Sequence, residues 1–256
     1  MTNPFASLAP LREKPIPPQR RLASSDYRAL PINTDDARAD EPLVDAADFK
    51  MAGRNHYAHN RNAPYYAPAP GALDKILLRK SIAEALAAVN AQLNKAGLEL
   101  FIFDGWRPIE VQRYFYETWT PRELQRRNPT LQGEALEAEV STYWARPTDN
   151  PGSPAPHATG AAVDLTIRWK NADPLWMGTL FDDPAPASHP CAFETEANGI
   201  SFTHEEARAN RRLLYWLMTD ADFAINPTEW WHFSKGDQMW AALTGAPAAY
   251  YGEARP

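Results

Sequence analysis

The stretch that decides the fold of this chain is Ala161-Ala162-Val163-Asp164-Leu165-Thr166-Ile167. Its odd-numbered positions are all apolar, whereas Asp164 and Thr166 lie between them. A period of two is typical of a β-strand, because successive side chains of a strand point to opposite faces of the sheet. The sequence therefore predicts a strand over 161–167 with one face for the hydrophobic core and a second face that presents Asp164.

Two further strands are predicted, one on each side of this stretch in the chain. Residues 98–103, Leu-Glu-Leu-Phe-Ile-Phe, are aliphatic and aromatic and lead into Asp104-Gly105. Residues 229–233, Glu-Trp-Trp-His-Phe, form another short aromatic run. Together with 161–167 they predict a small sheet.

Helices are predicted around these strands. Residues 74–96 place apolar side chains at steps of three and four, and Gly97 ends that run. Capping patterns, prolines and glycines predict further helices after Pro108, from Thr120, over 134–145 and from Thr203 through Met218. Residues 146–156 hold four prolines and a glycine and are predicted to form a loop.

These elements predict a single α+β domain, with a small, mostly antiparallel sheet flanked by helices. Residues 1–45 contain five prolines by position 18 and show little periodicity, so they are predicted to form an extended N-terminal arm. The domain is expected to occupy residues 46–256.

The composition argues against several classes of protein. The net charge is −6 and the chain has no long basic run, so no nucleic-acid-binding surface is expected. The single cysteine, Cys191, cannot form an intrachain disulfide. No run approaches the roughly 20 apolar residues of a membrane span, so we expect a cytoplasmic protein that does not contact a membrane. The composition leaves the oligomeric state open.

A first cluster of polar residues indicates a metal site. His157 ends the proline-rich loop, Asp164 lies on the polar face of the predicted strand, and Gly160 stands between them. Imidazole and carboxylate groups are both good zinc ligands, and a glycine permits the sharp turn that brings them to one ion. The same spacing is also typical of a loop histidine that binds no metal beside the end of a strand.

A second cluster, Glu229-Trp230-Trp231-His232, offers a third ligand and a carboxylate among aromatic residues. Three protein ligands with an open fourth position are the arrangement of a catalytic zinc. Because residues three apart in a regular strand point to opposite faces, we assign His232 as a ligand and Glu229 as the catalytic base. The spacing alone does not decide which of the two residues binds the metal and which acts as the base. The two tryptophans either exclude water from the site or pack in the core.

A third segment, residues 103–108, places Arg107 at a strand-to-helix turn, where its simplest role is an ion pair with Asp104. The three segments, in this order, resemble the D-alanyl-D-alanine dipeptidases, zinc metallopeptidases related to D,D-carboxypeptidases. The family motif Ser-x-His-x-x-Gly-x-Ala-x-Asp matches residues 155–164 except at its first position. The motif Glu-x-x-His matches residues 229–232, and an Asp-Gly-Trp-Arg-Pro segment matches residues 104–108.

The resemblance extends over about residues 45–240 and implies hydrolysis of a dipeptide, most directly D-alanyl-D-alanine. It implies one Zn2+ per chain, with Glu229 as the base; the implied ligands are His157, Asp164 and His232. Two roles come from the resemblance alone. Arg107 would stabilise the oxyanion of the transition state, and Asp182 would contact the free amine of the substrate. Without the resemblance, Asp182 would be taken as a helix cap or a turn residue.

The chain departs from the family pattern at two positions. Ala155 stands where the motif has serine, and Met51 falls where the family has a tyrosine near the substrate. We therefore expect hydrolysis to be retained and the exact dipeptide to be open. Tyr65 and Tyr66 are interpreted as surface or packing residues. The alternatives are a related zinc carboxypeptidase or endopeptidase that acts on cell-wall peptides, and a zinc-binding protein without catalysis, against which Glu229 and Arg107 argue.

Overall fold

The computed structural model describes residues 4–20, 22, 24–195 and 201–256. Its strands are β1 Leu43–Asp45, β2 Ala52–Gly53, β3 Leu77–Arg79, β4 Leu98–Asp104, β5 Ala162–Trp169, β6 Ala224–Ile225 and β7 His232–Ser234. Its helices are α1 Ala9–Glu13, α2 Ser24–Arg28, α3 Lys80–Asn94, α4 Ile109–Tyr114, α5 Thr120–Arg127, α6 Gly133–Val140, α7 Phe202–Asp220 and α8 Gln238–Thr244. None of these helices has both the length and the apolar character that crossing a membrane requires.

Five strands form the main sheet in the order β2-β4-β5-β7-β6. The pairs β4–β5, β5–β7 and β6–β7 are antiparallel, whereas the edge strand β2 runs parallel to β4. Strands β1 and β3 form a separate antiparallel pair. The predicted α+β class with a mostly antiparallel sheet is therefore confirmed.

The two central strands supply the core that the alternation predicted. On β5, Val163, Leu165 and Ile167 are fully buried, and Leu100 and Ile102 of β4 join them in one hydrophobic cluster with the apolar face of α3. Burial of one such side chain is worth about 1.5–3 kcal/mol. This face fixes the register of the two strands, because a slip by one residue would exchange the apolar set with the polar residues of the opposite face, Asp164 and Thr166.

Two helices are shorter than predicted. The helix expected over 74–96 begins only at Lys80, because Leu77–Arg79 pair with β1 as strand β3. Leu78 is buried in that strand, and an apolar residue at this position fits either a helical or an extended pattern. The helix expected over 134–145 ends at Val140.

The strand predicted over 229–233 also begins later than expected. Residues 229–231 form a turn, in which the Glu229 N–H donates to the Asn226 carbonyl at 3.3 Å and the Trp230 N–H donates to the Ser188 carbonyl at 3.0 Å. Glu229 and His232 are therefore not held on opposite faces of one strand.

The described part of the N-terminal arm lies against two helices of the domain. Helix α1 packs on α7, where Arg12 donates to Asn210 and pairs with Glu206, both at 2.9 Å. Helix α2 lies against α8. This segment thus contains two five-residue helices that the sequence did not indicate, and each of them contacts a helix of the C-terminal part of the chain.

Gly160 connects the loop before β5 to the strand, and there is little space around it for a side chain. Its φ is +70°, and an added Cβ would lie 2.4 Å from Leu43 Cδ2. We expect Gly160→Ala to lower the free energy of unfolding by about 2–4 kcal/mol, from the left-handed backbone and from overpacking together. Denaturant unfolding measures this loss.

The matched control is Gly97→Ala, because Gly97 has a φ of +73° and an added Cβ there would meet no atom within 4 Å. It should lose only the backbone contribution, about 1–2 kcal/mol. If both variants lost the same unfolding free energy, overpacking at Gly160 would contribute nothing to the loss.

Candidate active site

The sheet register brings polar residues from three neighbouring strands into one row. Asp164 of β5 lies directly opposite His232 of β7 on one side and opposite Asp104 of β4 on the other. All three side chains are buried. Directly paired residues of antiparallel strands have Cβ atoms about 4.5–5.5 Å apart, so their functional groups can meet.

His157 joins this row from the short turn Pro156–Thr159 that precedes β5. Its Nε2 lies 3.1 Å from Nδ1 of His232 and 3.3 Å from Oδ2 of Asp164. Nδ1 of His232 lies 3.1 Å from Oδ1 of Asp164. Within the described residues, these three side chains form a group of potential ligands that could hold one metal ion.

The spacing of the three ligand atoms fits a tetrahedral zinc. Two ligands at about 2.0–2.1 Å from such an ion lie roughly 3.4 Å from each other; the two imidazole nitrogens are 3.1 Å apart, and each lies 3.1–3.3 Å from a different oxygen of the Asp164 carboxylate. The side chains would need to move only slightly to coordinate the ion.

The outer contacts of both imidazoles indicate which nitrogen of each ring carries the proton. Nδ1 of His157 lies 2.8 Å from the Gly105 carbonyl, which can only accept, so this nitrogen carries the proton. The Ser234 hydroxyl donates to Asp237 at 2.8 Å, and its oxygen, 3.4 Å from Nε2 of His232, is left to accept. Two unprotonated nitrogens 3.1 Å apart repel each other unless a cation or a proton lies between them.

The buried carboxylate of Asp164 also indicates that this site binds a cation. Burial opposes its ionisation, but the positive charge that His157 and His232 carry when protonated, in the place of a bound cation, holds the pKa of its carboxyl well below the usual value. Its Oδ1 is buried and accepts no well-aligned hydrogen bond from any described residue. A buried carboxylate oxygen without a donor is costly, and a metal ion would remove that cost.

Glu229 lies beside this group. Its Oε2 is 3.6 Å from Nδ1 of His232 and accepts a hydrogen bond of 2.9 Å from Asn226 Nδ2. The side chain keeps 27% of its surface exposed. Burial of the carboxyl raises the pKa of Glu229 to about 7, although His232 opposes the shift. A carboxyl with a pKa near neutrality can both take up and release a proton at physiological pH.

Arg107 donates hydrogen bonds to several acceptors and lines the same cavity as Glu229 and the potential metal ligands. Its Nε donates to Asp104 at 2.8 Å, the ion pair expected from the sequence, and Nη1 donates to Gln112 at 2.9 Å. Nη2 lies 3.3 Å from Oδ2 of Asp164 and 3.3 Å from the hydroxyl of Tyr57. The guanidinium thus reaches the metal-ligand group while Asp104 balances its buried charge.

Asp182 is brought to the site by two tyrosines. Its Oδ2 accepts hydrogen bonds from Tyr57, at 3.1 Å, and from Tyr65. Its backbone has a φ of +64°, in the left-handed region. Burial raises the pKa of Asp182 to about 6, although the two tyrosines lower it. Tyr65 packs against Phe115 and Trp119, in agreement with its interpretation as a packing residue, and its hydroxyl has the additional contact with Asp182.

Neither tyrosine could be predicted as a partner of Asp182 from the sequence, because no local signal marks them. Tyr57 and Tyr65 lie 125 and 117 positions from Asp182 in the chain. No motif links such distant positions, and only the fold brings them together. Asn226, three positions before Glu229, could have been noticed from its spacing.

Two adjoining cavities open onto these groups. The first, of about 400 Å3, contains the potential metal ligands, Arg107 and Ala155. The second, of about 560 Å3, shares Asp182, Glu229 and Trp231 with the first. Met51 is buried in the core and is absent from the described residues that line either cavity, whereas Ala155 borders the metal-ligand group directly.

Comparison with known proteins gives a consistent relationship by sequence. Residues 49–247 match the model of a peptidase family described as D-ala-D-ala dipeptidase. The chain is 37% identical to the D-alanyl-D-alanine dipeptidase of Synechocystis sp. over 228 residues, which cover 84% of this chain and 88% of that protein. It is 27% identical to the Escherichia coli D-alanyl-D-alanine dipeptidase over 159 residues, which cover 62% of this chain and 66% of that protein.

Two solved structures are more remote. One is a mutant of the vancomycin-resistance D,D-pentapeptidase VanY in complex with Zn(II), with a TM-score of 0.42, 14% identity and coverage of 84% of this chain and 86% of that chain. The other is the vancomycin-resistance D,D-dipeptidase VanXYg in complex with a D-Ala-D-Ala phosphinate analogue, with a TM-score of 0.35, 18% identity and coverage of 79% of this chain and 71% of that chain.

The ligand assignment can be tested by metal content. We expect the chain to retain about one zinc per molecule after dialysis, and we expect His232→Ala to lose it, because two remaining ligands cannot form a catalytic zinc site. Elemental analysis of the dialysed proteins measures this. His59→Ala, a histidine outside the group, is the control and should keep its zinc. A zinc content in His232→Ala equal to that of the wild type would exclude His232 as a ligand.

Proposed function

The chain belongs to the D-Ala-D-Ala dipeptidase family of peptidases, and from this premise we propose that it hydrolyses the peptide bond of a free dipeptide, most directly D-alanyl-D-alanine. One observation carries the proposal. A single cavity brings together three potential zinc ligands, the carboxyl of Glu229 and the guanidinium of Arg107. Residues 46–256 would form the catalytic domain, and residues 1–45 the arm that wraps around it.

His157, Asp164 and His232 would hold the zinc. When bound there, a zinc ion supplies Lewis-acid polarisation of the scissile carbonyl and lowers the pKa of water towards about 7. The contacts of His157 to Gly105 and of His232 to Ser234 keep both rings oriented for this purpose.

Glu229 would move the proton. Its carboxylate accepts a proton from the attacking water and later delivers it to the amine that leaves, so one residue serves as base and then as acid. The hydrogen bond from Asn226 fixes one carboxylate oxygen, and the exposed part of the side chain leaves access from the cavity.

Arg107 would stabilise the negative charge that develops on the carbonyl oxygen. A guanidinium is always charged, and donors oriented before the reaction are most effective when water is excluded. Asp104 and Gln112 fix the guanidinium in advance.

Asp182 would bind the ammonium group of the substrate. As a carboxylate in the cavity shared with Glu229, it offers a negative partner at one end of the site. A free ammonium next to the scissile bond distinguishes a dipeptide from an internal bond of a longer peptide, so Asp182 would select for short substrates.

A second candidate function is cleavage of longer cell-wall peptides. The observation in its favour is the cavity of about 560 Å3 beyond Asp182, whose wall includes Glu123, Arg127 and Glu139. This space is charged and large enough to accept a chain that extends past the amine position. A non-catalytic zinc-binding role is set aside, because the family consists of peptidases.

The role of Glu229 predicts a specific defect. Glu229→Gln should keep its zinc and lower kcat for D-alanyl-D-alanine by about 100- to 10,000-fold, the usual contribution of a general base. Release of free D-alanine by the zinc-loaded proteins measures the rate, and elemental analysis confirms the zinc. Wild-type turnover by the glutamine variant would show that another group moves the proton.

The role of Asp182 predicts a pH-dependent KM. Only the carboxylate attracts an ammonium, and its pKa is raised to about 6. The KM for D-alanyl-D-alanine should therefore be constant above this pH and rise as the pH falls through it. In Asp182→Asn, the KM should be high throughout, without this rise.

A longer peptide that ends in D-alanyl-D-alanine is the matched control substrate for Asp182→Asn. It has no free ammonium next to the scissile bond, so its hydrolysis should respond little to the substitution. Efficient cleavage of the longer peptide by the wild type, with poor cleavage of the dipeptide, would favour the second candidate function.

A further inference from the structure

Tyr57 lies between two groups to which the proposed function gives separate tasks. Its side chain is 1% exposed. Nη2 of Arg107 is 3.3 Å from its hydroxyl, and the same hydroxyl is 3.1 Å from Oδ2 of Asp182. One buried oxygen therefore connects the guanidinium with the carboxylate.

The direction of these two hydrogen bonds is fixed by chemistry. Arginine can only donate, and a carboxylate can only accept, whereas a phenol has one proton to donate and lone pairs to accept. The Tyr57 hydroxyl must therefore accept from Arg107 and donate to Asp182. Hydrogen bonds to charged groups are stronger than neutral ones, so this bridge restrains both partners.

Packing leaves the Tyr57 ring little freedom. Its centroid lies 5.1 Å from that of Phe115 and 5.8 Å from that of Trp144. The guanidinium carbon of Arg107 lies 4.7 Å from the centre of the Tyr57 ring. The hydroxyl is thus held by an aromatic cluster, and its position does not depend on a bound substrate.

We propose that Tyr57 is a positioning residue that sets the separation between Arg107 and Asp182 and thereby selects substrates by the distance from their amine to the scissile carbonyl. This inference rests on the proposed function of those two residues. In an α-dipeptide, a single carbon joins the ammonium nitrogen to the carbonyl carbon. A fixed separation between the two binding groups would favour this length over a substrate with one more methylene.

Tyr65 provides a matched comparison. It donates to the same Oδ2 of Asp182, but the side-chain hydrogen bonds of Arg107 go to Tyr57, Asp104, Gln112 and Asp164. Loss of the Tyr65 hydroxyl should loosen Asp182 alone, whereas loss of the Tyr57 hydroxyl should loosen both partners. Phenylalanine keeps the ring and its packing in either case.

The kinetic test compares Tyr57→Phe with Tyr65→Phe on D-alanyl-D-alanine and on β-alanyl-D-alanine, which has one more methylene. Tyr57→Phe should lower kcat about tenfold, raise KM several-fold and reduce the preference for the α-dipeptide about tenfold, as expected for the loss of one hydrogen bond to charged groups. Tyr65→Phe should raise KM with little change in kcat. Identical changes in both variants, or an unchanged preference in Tyr57→Phe, would overturn the proposal.

Nuclear magnetic resonance of the arginine side chains tests the bridge without turnover. The 15N-bound guanidinium protons of Arg107, assigned with Arg107→Lys, should exchange with water and rotate faster in Tyr57→Phe and remain unchanged in Tyr65→Phe. Unchanged Arg107 signals in both variants would overturn the proposal. If the wild type hydrolyses neither dipeptide, the proposed function fails, while these signals still show whether Tyr57 positions Arg107.

A double-mutant cycle separates positioning from general loss of structure. If Tyr57 acts on kcat through Arg107, Tyr57→Phe should change kcat little in an Arg107→Lys background. A full additional loss of kcat in that background would show that Tyr57 does not act through Arg107. Thermal unfolding of each variant identifies any change that comes from destabilisation.

Discussion

The register of three antiparallel strands is the constraint on which the site depends. It places Asp104, Asp164 and His232 side by side in a buried row across the sheet. Buried carboxylates are costly unless they are paired. The row therefore requires positive charge from outside the sheet, and the structure offers two sources. Arg107 pairs with Asp104 at 2.8 Å, and the ligand group fits a metal ion beside Asp164.

The turn after strand β4 provides one of these two sources of positive charge, the guanidinium of Arg107, which pairs with Asp104 at the end of the strand. The same turn supplies the Gly105 carbonyl, which orients His157. The Arg107 backbone N–H also donates to the His157 carbonyl at 3.2 Å. The turn that carries Arg107 and the turn that carries His157 thus hold each other, so a change in either would disturb the positions of both side chains.

The sequence predicted the parts of the molecule that local patterns encode. Alternation over 161–167 predicted the central strand, because both faces of that strand are buried but only one is apolar, and the other carries Asp164 and Thr166. The residues proposed as ligands could be selected because imidazole and carboxylate groups are conspicuous beside a glycine. By contrast, the turn at 229–231 looked like a strand, since buried aromatic residues such as Trp230 suit both structures. The contacts of Tyr57 and Tyr65 with Asp182 could not be predicted from local sequence patterns, because only the tertiary fold brings these residues together.

The site divides into two parts that are held in different ways. The potential ligands Asp164 and His232 stand on paired strands, and a register fixed by core packing holds them. Asp182 stands in a loop with a left-handed backbone and is held by two tyrosine hydroxyls from distant segments. Ala155, the departure from the family motif that borders the first cavity, also lies outside the strands. Under the proposed function, substrate choice would change through loop residues while the sheet preserves the potential ligands. The Tyr57 hydroxyl, which contacts both Arg107 and Asp182, would connect the two parts.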